Sequence, residues 1–398
     1  MFFEYSKKKK PLEEYSWVKD DQIYVDHIEW AEIKSNYERK EIVAHLRKVI
    51  VELQPPTPFH EYSQIELDTE FRKLSTTKYI PKKEEWNTDR VEDISLLFKG
   101  EYVFFKNQNP TGKKVSNTHT QRIRAVAWYT ARPASYAKAW DRLRNGELDV
   151  LPINIVHFAD KCLDNKALMS GARLSGCLVN QFKPSVAKGV YDFFDAKRVL
   201  DFSAGWGDRL VGFLASNAES YIGIDPNTKL HDPYRQIVED NNHSNKETDF
   251  ICLPAEQVEY SKLKYDFVFT SPPYFNLEVY TDESTQSATK DTKLEDWLKD
   301  FLFETINRVY EGLVNGGRIA INICDHRFFK VCNTLIKHME SLGATYEGVV
   351  GFEIASRPLN AKGSVSRGIQ ERRGEPIFIW SKGKASEPKW YQDYFFGG

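Results

Sequence analysis

The sequence predicts an α/β fold: a mostly parallel sheet with its last strand antiparallel, preceded by a mainly helical or α+β region. Three observations predict it. Past residue 166, short β-rich runs alternate with helix-like segments, and such alternation places crossover helices on both faces of a parallel sheet. The last two runs are joined by a loop in which no standard crossover helix is read, so the final strand is expected to fold back. The chain has 398 residues, more than an ordinary single domain, which is enough for two domains and a core that needs no disulfide staples.

Taken in order, "MFFEYSKKKKPLEEYSW" is polar, carries a lysine run and lacks periodicity, so residues 1–35 read as a flexible arm. Residues 36–165 open with a helical pattern, "YERKEIVAHLRKVIVELQ", which breaks at "PPTP" and continues as mixed polar and aromatic segments without a catalytic constellation. The basic and aromatic residues over 112–144, taken up below, make it the candidate for nucleic-acid binding or recognition. Residues 166–398 carry the strands: "RVLDFS" (198–203), "SYIGID" (220–225), "DFICL" (249–253), "YDFVFT" (265–270), "RIAINIC" (318–324), "YEGVVGFEI" (346–354) and "EPIFIWSK" (375–382). Ligands of such a sheet sit at the carboxyl ends of its strands.

Composition narrows the classes. The formal net charge is −2, so attraction of the whole protein to a polyanion is no argument, and nucleic-acid contact must come from local basic patches. Aromatic content of 14% is compatible with base stacking as well as with a core. The five cysteines show no paired spacing, and neither a signal peptide nor a long apolar span is visible; a reduced, intracellular, cytoplasmic protein without a membrane contact is expected. Cys324, His326, Cys332 and His338 could be taken for metal ligands, but a strand end followed by an amphipathic helix explains them, and no metal is expected.

"VLDFSAGWGDRLVGFLAS" is a strand ending in Asp201, a turn with Gly205 and Gly207, and an apolar helix. Glycines there let the backbone approach a ligand closely, and a helix amino end favours an anionic group. In "YIGIDPN", Asp225 ends the next strand where an acid can grip ribose hydroxyls. These residues resemble the first two motifs of the class I S-adenosylmethionine-dependent methyltransferases, with a Rossmann-like sheet: Asp201, Ser203, Gly205 and Gly207 fall on the first and Asp225 on the second. A dinucleotide site would want a third glycine where Arg209–Leu210 stand, which disfavours NAD. The resemblance further implies an adenine contact from Glu256 in "CLPAEQ". It also implies cover of the methionine end by Phe182, Lys183 and Pro184 in "NQFKPSVAKGVYDFF"; a plain helix start at Pro184 reads the same residues structurally.

"TSPPYFNLEVY" (270–280) places two prolines and a tyrosine at the end of a buried strand. An exocyclic base amine is a poor nucleophile because its lone pair is delocalised into the ring. A side-chain oxygen and a proline-constrained carbonyl can accept its two hydrogens and localise that pair, while a tyrosine stacks on the base. Ser271, Pro272, Pro273 and Tyr274 resemble the D/N/S-P-P-Y/F/W motif of amino-methyltransferases, in the TSPPY form familiar from DNA cytosine-N4 enzymes. The resemblance implies methyl transfer to DNA, at cytosine N4 or else adenine N6. A duplex base would have to be flipped out, and the polar stretch after the motif is expected to be a mobile loop. RNA or protein-glutamine methylation, and a non-catalytic subunit of a modification assembly, are the alternatives.

Two basic clusters are candidates for phosphate contact. Residues 112–144 carry Lys113, Lys114, Arg122 and Arg124 among others, interleaved with Trp128, Tyr129, Tyr136 and Trp140. The segment 356–374 carries Arg357, Lys362, Arg367, Arg372 and Arg373.

Overall fold

The structure is a computed structural model that describes residues 9–88, 90–91, 95–147, 150–289, 291–354 and 373–388. The chain divides into two compact units, neither continuous in sequence: residues 1–61, 121–180 and 278–281 form one, and residues 62–120, 181–277 and 282–398 the other.

In chain order the strands among the described residues are β1 Val18–Lys19, β2 Gln22–Ile23, β3 Lys82–Lys83, β4 Val103–Phe105, β5 Trp128–Tyr129, β6 Arg198–Asp201, β7 Ser220–Ile224, β8 Glu247–Ile251, β9 Phe267–Thr270, β10 Glu278–Val279, β11 Arg318–Asn322, β12 Thr345–Glu353 and β13 Gly374–Ser381.

The first unit is mainly helical. Helices His27–Asn36, Arg39–Leu53, Tyr136–Arg144, Val150–Phe158 and Asn165–Ser175 surround a core that includes Trp30, Leu46, Ile50, Trp140 and Leu163. The arm expected over residues 1–35 is corrected for residues 9–35. Trp17, Ile23, Val25 and Trp30 are buried, the Trp30 indole donates to the Ala159 carbonyl at 2.6 Å, and Val25 bridges Leu163. Apolar residues too sparsely spaced for a periodic pattern still fill a core when long-range contacts supply the partners.

The second unit is built on a nine-stranded sheet in the order β3-β4-β12-β13-β11-β9-β6-β7-β8. Strands β8, β7, β6, β9 and β11 are mutually parallel, and β13 lies antiparallel between β11 and β12, as expected of a Rossmann-like sheet whose last strand folds back. All seven sequence-read runs fall on strands. The boundary at residue 165 is corrected by β3 and β4. Residues 62–120 belong with the sheet, where β4 pairs parallel with β12 at Val103–Val350. Its three residues are all buried, and Phe104 stacks on Trp86 with centroids 5.8 Å apart. Among the described residues no helix is long and apolar enough to cross a membrane.

One topological feature positions the site. From β6 the chain steps outward through β7 and β8, then returns to add β9 and β11 on the other side of β6. The strand order therefore reverses between β6 and β9, and connections leaving their carboxyl ends diverge to open a crevice there. Val199 pairs with Phe267 and Leu200 with Val268, so the turn after Asp201 and the segment after Thr270 leave adjacent strands.

Candidate active site at the reversal in strand order

The glycine turn follows β6. Gly205 and Gly207 sit at φ +57° and +74°, the left-handed region that glycine enters without cost, and Gly207 caps the helix Asp208–Ala215. A Cβ at Gly207 would lie 2.9 Å from Ile237 Cδ1, whereas at Gly205 it would face open space apart from the Ser203 carbonyl at 3.7 Å. The first glycine thus leaves room above the turn and the second permits close packing beneath it.

Asp201 is placed differently from the ligand contact expected of it. It is fully buried, with Arg209 Nε donating to Oδ2 at 2.7 Å, Arg209 Nη2 to Oδ1 at 3.2 Å, and the Tyr221 hydroxyl to Oδ2 at 2.8 Å. Arg209 also donates to the Ser203 carbonyl, which ties the turn to the end of its strand. Asp201 therefore shapes the turn. Arg209, noted in the sequence only as an absent glycine, is the residue that makes it do so. The helix amino end also carries its own acid: Asp208 is buried and accepts from the Ser116 hydroxyl at 2.5 Å and from Gln181 at 3.3 Å.

Asp225, at the end of β7, accepts the Gly205 amide on Oδ2 at 2.9 Å and the Asn227 amide on Oδ1 at 3.0 Å. An ionised carboxylate has about four acceptor positions, so two remain for a ligand's hydroxyl groups. Burial pushes its carboxyl up to about 6. Beside it, the Asn227 side-chain nitrogen is buried without a hydrogen-bond partner. Open space at Gly205, spare acceptor positions on Asp225 and an orphaned donor on Asn227 fit a ligand bearing vicinal hydroxyls, as a nucleoside cofactor does.

The other expected cofactor contacts divide. Phe182 packs edge-on against Phe269 and Phe352, under the Arg209 guanidinium at 5.7 Å, which places it at the carboxyl ends of β9 and β12. Lys183 is spent elsewhere: its ammonium donates to the Asn107 side chain and the Glu353 carbonyl, and burial pulls it down to about 8, with the Lys113 charge adding. Pro184 is a buried first residue of the helix Pro184–Phe193, the structural use of a proline there. Glu256 lies in the single turn Ala255–Gln257 after β8, its carboxyl raised by burial.

At the end of β9 stands Ser271-Pro272-Pro273-Tyr274. The Phe275 amide donates to the Pro273 carbonyl at 2.9 Å, closing a tight turn, and Phe275 itself sits at φ +51°. That strained residue is held by its buried ring, which packs against Trp297 and Phe329 with centroids 5.8 and 5.6 Å away. Among the described residues no hydrogen bond uses the Pro272 carbonyl. The Ser271 hydroxyl, half-buried, donates to Asn322 Oδ1 at 3.2 Å on neighbouring β11. Tyr274 is half-buried, with its hydroxyl 3.4 Å from the Cys324 sulfur, whose thiol burial pushes up to about 12. Arg90 and Glu375 form an ion pair at 2.5 Å beside Cys324, near the start of β13. The sequence offered no signal for Asn322, Arg90 or Glu375, which stand 51, 181 and 104 residues from Ser271.

The stretch after this corner is anchored. Glu278 and Val279 pair with Tyr129 and Trp128 in the first unit, and in the second the Glu283 carboxylate accepts from the Thr228 hydroxyl at 2.6 Å and amide at 3.2 Å. A hollow of about 420 Å³ beside β8, lined by Arg235, Glu239, Thr248 and Asp249, includes none of the expected site residues. No group of three His, Cys, Asp or Glu among the described residues is placed to hold a metal.

The basic clusters hold up unevenly as an exposed contact surface. Arg124 is buried and donates to the Val179 carbonyl at 2.9 Å, so it serves the core. Tyr136 and Trp140 are buried as well, donating to the Pro58 and Pro55 carbonyls. Arg122 is exposed over the Phe59 ring, and Lys114 pairs with Glu66 at 3.7 Å. Lys113 opens the helix Lys113–Arg124, half-buried. Arg357, Lys362, Arg367 and Arg372 lie outside the described residues, while Arg373 is exposed and bridges Asn87.

No protein-family model and no curated protein matches the chain. Among solved structures it is similar to TrmN from Thermus thermophilus (16% identity, TM-score 0.35, 52% of this chain and 51% of that one). It is also similar to a magnesium protoporphyrin IX methyltransferase from Synechocystis with bound SAM (12%, 0.35, 50% and 79%), and to an rRNA methylase from Streptococcus thermophilus (15%, 0.32, 52% and 99%). The match spans about half the length of the first of these.

Proposed function

We propose that this chain is an S-adenosyl-L-methionine-dependent DNA methyltransferase acting on an exocyclic base amine, cytosine N4 in the first place. One observation carries the reading: the β6–β9 register sets the Ser271-Pro272-Pro273-Tyr274 corner beside the glycine turn, at the reversal in strand order. Phe182, Ser203, Gly205, Gly207 and Asp225 would hold the cofactor, with Asp225 on its ribose and Glu256 toward its adenine. When bound, the cofactor supplies an electrophilic sulfonium methyl.

The protein's own part is to make a reluctant nitrogen nucleophilic. The Ser271 oxygen and the Pro272 carbonyl accept hydrogen bonds from the two amine hydrogens, which draws the lone pair out of the ring; one of these hydrogens leaves as a proton to solvent once the nitrogen carries the methyl, and Tyr274 holds the base by its face. Serine at the first motif position supports cytosine over adenine. The TSPPY form supports DNA, and a duplex target would be flipped into the corner. Lys113, Lys114, Arg122 and the basic segment ending at Arg373 would contact phosphate.

Incubation with isotope-labelled cofactor and plasmid DNA, followed by digestion to nucleosides and mass spectrometry, tests this directly. Labelled N4-methyldeoxycytidine is expected, and label in N6-methyldeoxyadenosine would move the assignment to adenine. DNA without label, from a protein that binds the cofactor, would overturn the DNA assignment.

A further inference from the structure

We infer that Asn322 is a positioning residue that makes the Ser271 hydroxyl an obligatory hydrogen-bond acceptor toward the substrate, and so selects bases presenting an amine over bases presenting a carbonyl. The inference rests on the functional reading above and deepens it.

The orientation of the Asn322 amide follows from its partners. One end lies 2.9 Å from the Pro376 carbonyl. A carbonyl oxygen can only accept, so the amide nitrogen must face Pro376 and Oδ1 must face Ser271. Oδ1 carries no hydrogen, so at 3.2 Å the Ser271 hydroxyl is the donor. A serine hydroxyl has one hydrogen and two lone pairs. With its hydrogen committed to β11, only lone pairs remain for the crevice. The Pro272 carbonyl beside it can also only accept, so these two oxygens offer acceptors and no donor.

Such a corner matches an amine and opposes a carbonyl. An exocyclic NH2 satisfies both acceptors, whereas the O4 of uracil or thymine would meet oxygen against oxygen, leaving desolvated groups unpaired. The amide nitrogen also donates to the buried Glu375 carboxyl, which fixes the same orientation from a second side. Asn322 is 98% buried, between Ile321 and Ile323 on an interior strand, where an amide is unfavourable unless every polar atom is satisfied. The β11–β13 ladder from Arg318–Ser381 to Asn322–Ile377 already joins these strands by backbone bonds, so the side chain is not needed to hold them.

A double-mutant cycle tests the coupling. Asn322→Leu frees the serine hydrogen to rotate into the crevice, and kcat for cytosine methylation is expected to fall about 10–100-fold with the cofactor Kd unchanged. Ser271→Ala removes the acceptor itself, and adding Asn322→Leu to it should cost little more, because the asparagine acts through the serine. Asn322→Asp, whose protonated acid can donate to the Pro376 carbonyl while its other oxygen accepts from Ser271, should retain more activity than Asn322→Leu, and less of it as pH rises and the buried acid ionises. Binding supplies an independent readout: the wild type should prefer oligo(dC) to oligo(dU), and Asn322→Leu should shrink that preference.

Multiplicative losses in the double mutant, or an unchanged oligo(dC) preference in a folded Asn322→Leu protein, would overturn the inference. Should Asn322→Leu fail to fold, Asn322→Asp and Asn322→Ser carry the same comparison, and equal activity of both with the wild type would sink it. A wild type that binds cofactor yet methylates no base amine would overturn the functional reading, and this inference with it.

Discussion

Asp225 shows how burial sets a residue's working range. Its carboxyl, raised from 3.8 to about 6, binds a proton in the folded protein across a window where the unfolded chain has already released it. Its contribution to stability therefore falls as pH rises from about 4 to about 6, the reverse of a salt-bridged carboxylate. Ribose hydroxyls donate best to the ionised form. Cofactor affinity should accordingly strengthen as pH passes upward through about 6 and then level off, and Asp225→Asn should bind more weakly with that dependence gone. Calorimetric titration between pH 5 and pH 8 checks it; a wild-type Kd flat across the range would remove Asp225 from the ribose. Gly205 and Gly207 were legible in the sequence because a turn needing positive φ leaves its mark in residue type, and Asp225 because it directly follows a strand run. The roles of Asp201 and Asn322 were not, since a motif acid looks the same whether it faces a ligand or an arginine.

Among the elements, the turn after β9 depends on a residue outside the motif. Phe275 holds a left-handed conformation that costs about 1–2 kcal/mol for a residue with a Cβ, and its buried ring offsets that cost. Truncating the ring removes the offset, and glycine alone escapes the strain. Phe275→Gly should therefore destabilise the protein less than Phe275→Ala, by about 1 kcal/mol, the reverse of their order in a helix or strand. Urea midpoints of the two variants decide it, and an Ala variant as stable as the Gly variant would mean the turn is not strained. The seven runs read as strands were legible because β-branched and aromatic clusters between glycine or charged breaks mark buried strands locally. Strand β4 was not, because three apolar residues become a strand only when β12, about 250 residues later, pairs with them.

Over the whole molecule, ligand binding and folding are linked. If the cofactor binds only the folded chain, a concentration a hundredfold above its Kd should add about 2.7 kcal/mol to unfolding stability, and Asp225→Ala should lose most of that gain. Chemical denaturation with and without cofactor measures it, and an unchanged midpoint at that concentration would refute a folded-state cofactor site. The division into units also belongs to this scale. A linear reading placed one boundary at residue 165, whereas the chain gives residues 62–120 to the sheet and takes residues 9–35 into the helical core. The sequence by itself determined the alternating strands and helices, the glycine turn, the acid after β7 and the Ser-Pro-Pro-Tyr corner, because each depends on the conformational limits of residues close in the chain. Only the tertiary structure decided that the strand order reverses between β6 and β9, that Asp201 closes on Arg209, and that Asn322 claims the Ser271 hydrogen. Those facts depend on which strands pair, and pairing is chosen by the burial of the whole sheet.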